Sequence, residues 1–191
     1  MTIASADRSE LIERARRSIE AGLASGRLEP APAARSPFLA EPRATFVTLN
    51  VDHDLRGCCG SIESRFALAE DVWRNAWASA FADPRFPPLT SSEYTSTHIH
   101  ISVLSPLQAL IARDEQDLLA QLRPGRDGLL LQLGAARATF LPAVWESLPE
   151  PAEFLAHLKH KAGWRPDFWS PRMEIWRYET ESFGESDTDG A

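Results

Sequence analysis

The first apolar pattern in the chain is helical. Ile12, Ala15 and Ile19 recur at spacings of three and four, which places them on one face of a helix. Gly26 is a residue type that commonly ends helices. The pattern therefore predicts a helix over 8–25. Residues 29–42 contain four prolines, too many for a helix interior, and we expect a proline-rich connector there.

A β-hairpin and a long helix are predicted next. Residues 44–51 are rich in threonine and large apolar side chains, 52–54 have turn composition, and an extended run resumes at Leu55. Between 65 and 82 the apolar side chains repeat at i, i+3, i+4 and i+7, which predicts a helix with one broad apolar face. Pro84 then ends that helix.

The second half alternates short strands and helices. Apolar and polar residues alternate over 97–104, which predicts a strand. The remaining predicted elements are a short helix after Asp114, a hairpin of 129–133 and 137–141, helices at 142–148 and 151–162, and a last strand at 172–180. Because no strict β-α-β rhythm appears, the order favours a mixed α+β fold over a doubly wound parallel sheet.

Length and charge narrow the class of protein. A chain of 191 residues with 43% hydrophobic and 25% charged residues has the composition of one globular domain, which we place at 1–184. No apolar run could span a bilayer and the first residues show no leader pattern, so we expect a cytoplasmic protein. The net charge is −7, and five acidic residues follow the last arginine. We therefore expect an acidic, disordered tail at 185–191.

The two cysteines are neighbours in the sequence. Cys58 and Cys59 have Cα atoms about 3.8 Å apart, below the usual range for a disulfide. We therefore expect both to be free thiols.

Six stretches together indicate a family. Residues 55–60 read Leu-Arg-Gly-Cys-Cys-Gly, which resembles the LRGCIG signature of the AMMECR-domain family, whose bacterial and archaeal members are called AmmeMemoRadiSam system protein A. The other stretches that resemble this family are Asp83-Pro84-Arg85-Phe86-Pro87-Pro88-Leu89, Ile101-Ser102-Val103-Leu104-Ser105-Pro106, Ala138-Thr139-Phe140-Leu141-Pro142, Val144-Trp145 and Lys161-Ala162-Gly163. Together they cover about residues 9–185.

The resemblance implies more about the fold than about activity. It implies an α+β domain with a single barrel-like mixed sheet, built from two related β-α-β units with helices packed around it. The family's biochemistry is unsettled, and the resemblance implies a pathway shared with a Memo-like protein and a radical S-adenosylmethionine enzyme. Two positions depart from the family pattern: Cys59 replaces an aliphatic residue, and Lys159 replaces a frequent cysteine.

The signature strand supplies the candidate catalytic residues. If the extended run begins at Leu55, its period of two places Leu55, Gly57 and Cys59 on the core face. Arg56 and Cys58 then share the opposite face, where the guanidinium could favour a thiolate. Gly57 and Gly60 leave backbone uncovered and could admit a substrate. The alternative interpretation is a tightly packed structural strand in which Cys58 is an inert small residue.

The remaining candidate binding residues are Asp83, Arg85 and Lys161. Asp83 and Arg85 lie in a proline-rich turn, where Arg85 could bind an anionic group in a bidentate manner. Local capping by Asp83 is the alternative. Lys161 belongs to the last predicted helix and joins the set as a further candidate contact.

The histidines are weaker candidates for a catalytic base or a metal site. His53 is too far along the strand to serve as a base for Cys58, whereas His157 or His160 could reach it only through the fold. His98 and His100 share one face of a strand, and we expect a polar surface there rather than a metal site. Walker A, GxGxxG and GxSxG motifs are absent from the sequence. We expect no cofactor.

The sequence leaves two functions open. The first is binding of a small polar or anionic substrate, presented either free or on RNA, at the Arg56-Gly57-Cys58 strand. Whether a reaction follows is open. The second is a non-catalytic module that docks a protein partner through the same strand and the turn at 83–89. A concave pocket around Arg56 and Cys58 would favour the first, and a flat, partly apolar patch would favour the second.

Overall fold

The computed structural model describes residues 2–185. Its α-helices are α1 (Ser5–Ser25), α2 (Leu68–Phe81), α3 (Ser91–Tyr94), α4 (Glu115–Gln121) and α5 (Pro151–Lys161). Two short 3₁₀ helices span Phe38–Ala40 and Pro142–Glu146. The proline-rich connector contains the first of these and is otherwise irregular, as its composition predicts.

Eight strands are described. They are β1 (Thr45–Val51), β2 (Asp54–Gly60), β3 (Thr97–Leu104), β4 (Gln108–Ala109), β5 (Gly128–Leu133), β6 (Ala136–Phe140), β7 (Glu174–Tyr178) and β8 (Thr180–Gly184). They form two four-stranded sheets, ordered β2-β1-β3-β8 and β4-β7-β5-β6. The pairs β1–β2, β1–β3, β4–β7, β5–β6 and β5–β7 are antiparallel.

The α+β class is confirmed, but the expected single barrel-like sheet is wrong. The strands divide between two open sheets, and each sheet belongs to its own compact unit. The first unit comprises the described residues 2–104 and 181–185, and the second comprises 105–180. The predicted last strand at 172–180 corresponds to β7. The ladder is interrupted at Glu179, and β8, which was not predicted, follows and joins the first sheet.

Helices α1 and α2 cover one face of the first sheet. Val47, Leu49, Ile99 and Ile101 alternate along β1 and β3 and are fully or almost fully buried with both helices in one hydrophobic cluster. Alternation turns the intervening side chains to the other face, which we call the outer face of the first sheet. The His98 and His100 side chains lie on this face and are exposed.

The second unit has its own hydrophobic cluster. Phe154 of α5 is fully buried and stacks on Trp145, with ring centroids 3.8 Å apart. Leu129 and Leu131 of β5 supply the sheet side of this cluster. Lys159 is fully buried and donates to Glu115 Oε2 at 2.6 Å and to the Pro166 carbonyl at 2.9 Å. Lys159 therefore joins α5 to α4.

Two acidic residues near the end of the chain form ion pairs with arginines of α1. Glu181 pairs with Arg8 at 2.7 Å, and Glu185 pairs with Arg16 at 2.5 Å. Glu185, which we assigned to the tail, is thus part of the folded first unit, and residues 186–191 lie outside the described range.

Within residues 2–185, none of the helices is long and apolar enough to cross a membrane.

Candidate functional site

The signature lies on β2, an edge strand of the first sheet. β2 and β1 are joined by a two-residue turn in which Asp52 and His53 have φ angles of 50° and 71°. This left-handed pair is typical of a tight hairpin turn. It brings residues 54–60 back alongside β1.

A β-bulge changes which way the signature side chains face. Leu49 pairs with Gly57 but Asn50 pairs with Leu55, so Arg56 is the extra residue. Leu55 was expected in the core, yet it is 43% exposed, because the bulge interrupts the alternation between Leu55 and Gly57. The core-facing assignment of Gly57 and Cys59 is consistent with their partners Leu49 and Val47, both fully buried.

Helix α2 crosses β2 at very short range. A Cβ added at Gly57 would lie 2.1 Å from the Ser79 carbonyl oxygen, so only glycine fits here. The Ser79 hydroxyl donates to the Val47 carbonyl at 2.7 Å and accepts from the Cys59 N–H at 2.8 Å. Ser79 therefore bridges β1 and β2. The uncovered backbone that we expected at Gly57 is occupied by α2, and a Cβ at Gly60 would meet the Thr45 carbonyl at 2.3 Å.

The turn after α2 supplies hydrogen-bond partners for the backbone of Cys58 at the free edge of β2. Asp83 Oδ2 accepts from the Cys58 N–H at 2.9 Å, and Arg85 donates to the Cys58 carbonyl at 3.3 Å. Arg85 also binds Asp83 through two bonds, of 3.0 and 2.7 Å. The Arg85 guanidinium, aided by the Cys58 and Arg85 amides, holds the pKa of Asp83 far below its usual range. The pair stands where a neighbouring strand would otherwise bind.

Arg56 is directed to the same turn and is only 9% exposed. Its guanidinium donates to Glu93 Oε1 at 2.8 Å and to the Pro87 carbonyl at 2.9 Å, whereas we expected it to serve Cys58. Glu93 also accepts from the Thr90 amide and hydroxyl as the fourth residue of a capping box. Arg56 and these Thr90 bonds lower the pKa of Glu93 to about 2. The bulge is thus tied to α3.

The two thiols have different surroundings. Cys59 is on the α2 side, where burial and then the charge of Asp83 raise its pKa. Cys58 lies on the outer face of the first sheet, where the Thr48 hydroxyl donates to its Sγ at 3.4 Å. Both cysteines are free and half-buried. The sequence pattern correctly predicted that Cys59 faces the core. It did not predict the contact between Thr48 and Cys58.

One row of polar side chains crosses the outer face. Thr48 pairs with Cys58 on one side and with His100 on the other, so the three residues are consecutive across β2, β1 and β3. Side chains directly opposite each other in an antiparallel sheet have Cβ atoms about 5 Å apart. Asn50 and His98 form the next row. Strand register brings His100 toward Cys58, and no local sequence motif carries that information.

Other predicted residues lie apart from this row. Lys161 belongs to the second unit, where Nζ donates to the Thr139 carbonyl at 3.1 Å and lies over the Phe140 ring. His157 and His160 are exposed residues of α5 in that unit. Within the described part of the chain, no group of three or more His, Cys, Asp or Glu side chains is arranged to hold a metal ion.

Comparisons with known proteins cover nearly the same range as the sequence motifs. A family model described as AMMECR1 matches residues 12–183. A protein of Thermofilum pendens is 35% identical over an alignment 196 positions long, which covers 94% of this chain and 90% of that protein. A protein of Methanopyrus kandleri is 36% identical over an alignment 190 positions long, which covers 94% of this chain and 89% of that protein.

A solved structure supports the fold. The crystal structure of an uncharacterised protein from Pyrococcus horikoshii matches this chain with a TM-score of 0.84 and 34% sequence identity. The match covers 92% of this chain and 89% of that one. Both units therefore lie almost entirely within a fold that has been observed experimentally.

Proposed function

The chain belongs to the AMMECR1 family, and we propose that it binds a small polar ligand on the outer face of the first sheet, against Cys58, Thr48 and His100. The observation that supports this most is the row itself. A thiol, a hydroxyl and an imidazole lie on three adjacent strands, and the hydroxyl already donates to the thiol sulfur at 3.4 Å. Rigid strands keep such groups in a fixed order for a ligand.

The charged residues of the signature region hold the strand in this proposal. Arg56 is committed to Glu93 and Pro87, and Arg85 to Asp83 and Cys58. A ligand that used either guanidinium in full would have to break an ion pair that is partly shielded from water. We therefore assign positioning roles to Arg56, Gly57, Gly60, Asp83 and Arg85, and ligand contact to the outer row.

The family resemblance is the basis for the cellular setting in this proposal. We propose that the ligand is handled in the cytoplasm together with a Memo-like protein and a radical S-adenosylmethionine enzyme. The ligand is a free small molecule in this proposal rather than a group carried on RNA. The net charge of −7 supports that choice, because RNA binding usually needs clustered basic residues.

The outer face also bears on the alternative function. A module that docks a protein partner would be expected to present a broad apolar patch. The central residues of this face, Thr48, Asn50, Cys58, His98 and His100, are instead polar, and the half-buried Phe46 lies at one end of the face, opposite Gly60 and Ser102. Leu55 is exposed on β2, but the Asp83–Arg85 pair occupies the strand edge at Cys58. The polar row therefore favours a small ligand.

Thiol protection tests the proposal. In a Cys59→Val background, native protein would be treated with iodoacetamide in the presence of each member of a panel of small carboxylic and phosphoric acids. We expect Cys58 to be alkylated without ligand and at least one acid to slow that reaction about tenfold, as read by mass spectrometry. Thr48→Val should reduce the protection while keeping Cys58 accessible.

Two outcomes would contradict the proposal. One is that Cys58 resists alkylation in the native protein, which would show that its face is closed. The other is that every acid in the panel leaves the rate unchanged while Cys58 reacts freely. Cys59→Val is a suitable background because it restores an aliphatic side chain of similar size at a core-facing position.

A further inference from the structure

A shallow groove opens beside the polar row on the outer face of the first sheet. It has a volume of about 350 Å³, and its polar side chains are those of Asn50, His53, His98, His100 and Glu185. Ile99 and Gly184 complete the lining. Because His100 lines the groove and also pairs with Thr48, the groove is continuous with the Cys58 row.

Three imidazoles reach this groove from two different segments. His98 and His100 are two residues apart on β3, which separates their Cα atoms by about 6.6 Å. His53 comes from the tight β1–β2 turn, where its backbone is left-handed with a φ of 71°. Asn50, directly opposite His98, adds an amide that can donate and accept.

The one carboxylate in the lining is already neutralised. Arg16 of α1 donates to both oxygens of Glu185, at 2.5 and 2.8 Å, and the Ile99 amide donates to Glu185 at 3.1 Å. His98 Nδ1 is 3.9 Å from Glu185 Oε2. Among the described neighbours, the other titratable groups are the exposed Asp52 and Asp54 on either side of His53, and Cys58 on β2.

We propose that this groove binds the acidic group of the ligand, a carboxylate or a phosphate, through His98, His100 and Asn50. The inference rests on the proposed function, since it assigns the acidic end of the molecule whose other polar groups lie against Cys58. Imidazole N–H groups and the Asn50 amide supply the hydrogen bonds, and protonation of the imidazoles adds charge attraction. The ligand class is therefore small organic acids, bound more tightly as the histidines become protonated.

Histidine titration by NMR tests the groove. The Cε1–H signals of all five histidines would be followed from pH 8.5 to 5 in sulfate and in chloride at equal ionic strength. Sulfate is chosen because its charge does not change in this range. We expect sulfate to raise the titration midpoints of His98 and His100 by about half a pH unit or more, with affinity about tenfold higher at pH 5.5 than at pH 8.

The chain supplies its own controls. His157 and His160 belong to the second unit and should titrate alike in both salts. His100→Asn should reduce the effect of sulfate on His98, and acetate in place of sulfate distinguishes carboxylate from phosphate recognition. Equal midpoints in sulfate and chloride, or the same shift at all five histidines, would overturn the inference.

The experiment separates this inference from the proposed function. If sulfate acts on His98 and His100 but no acid protects Cys58, the groove stands and the Cys58 row does not bind the ligand. If an acid protects Cys58 while sulfate and acetate leave every histidine unchanged, the ligand site stands and the anion groove is refuted.

Discussion

Glu93 joins the signature strand to α3 through a single carboxylate. It accepts from Arg56 at 2.8 Å and from the Thr90 amide and hydroxyl, which lower its pKa from 4.5 to about 2. A lowered carboxyl pKa adds stability above pH 4.5 that disappears as the pH falls toward 2. We expect Glu93→Gln to cost about 1 kcal/mol at pH 7, since the pair is partly exposed. Urea unfolding from pH 7 to 2.5 should show a smaller loss for the variant than for wild type, and parallel curves would contradict this.

Asp71 has the opposite effect on stability. It is only 3% exposed, and burial raises its pKa to about 6, although Thr45 and Asn75 donate to it. The folded state therefore binds this proton more tightly than the unfolded state, and stability should rise as the pH falls from about 6 to 4. Asp71→Asn should remove that rise, on the order of 2 kcal/mol. Urea unfolding at pH 6.5 and 4.5 measures it, and an unchanged slope in the variant would refute the assignment.

Residue types alone predicted part of the signature's geometry. The period of two correctly separated Cys58 from Cys59, because both lie beyond the bulge where alternation is regular. It misplaced Leu55 and Arg56, because a bulge depends on how two strands pair rather than on the residues of one. Glu93 was not noticed, because it is 37 positions from Arg56 in the sequence and no local pattern links the two residues.

At the scale of elements, α2 and β2 meet where only glycine fits. Gly57→Ala would place a methyl group 2.1 Å from the Ser79 carbonyl oxygen, so the helix backbone must shift. We expect a loss of about 2 to 4 kcal/mol in the free energy of unfolding. Cys58→Ala, next along the same strand, is the matched control and should cost less than about 1 kcal/mol. Equal unfolding free energies for the two variants in urea would disprove the close contact.

Most elements could be predicted from local patterns, but sheet membership could not. The helix over 151–162 and the strand over 97–104 agree with the structure to within a residue, because each carries a complete apolar period. The apolar run near the end of the chain gives no sign that the ladder is interrupted at Glu179. That interruption assigns β7 and β8 to different sheets, whereas the family resemblance had implied one barrel-like sheet.

At the scale of the whole molecule, the first unit is discontinuous in sequence. Its sheet is completed by β8, whose Phe183 is fully buried and whose Glu181 pairs with Arg8. Deletion of 180–191 should therefore unfold the first unit or cost more than about 4 kcal/mol, through lost burial and unpaired arginines. Deletion of 186–191, which lacks large apolar residues, should change stability by less than about 0.5 kcal/mol. Thermal melts of both variants give the answer, and similar melting of the longer deletion and wild type would refute it.

The acidic residues near the end of the chain are bound into the fold more than the composition suggested. The five acidic residues after Arg177 were assigned mainly to a tail, yet Glu179, Glu181 and Glu185 each form ion pairs with arginines. Composition gives the number of charges but not their partners, because the partners lie far away in the sequence. Three of the five carboxylates are therefore part of the folded protein.

The central claim is that ligands bind the outer face of the first sheet, and amide chemical-shift mapping tests it most directly. Uniformly ¹⁵N-labelled protein would be titrated with the panel of small carboxylic and phosphoric acids. The account predicts shifts concentrated at Thr48, Asn50, Cys58, His98 and His100, with little change at Arg137 or Glu174 in the second unit. Shifts centred on residues 83–93 or in the second unit, or no shifts with any acid, would contradict it.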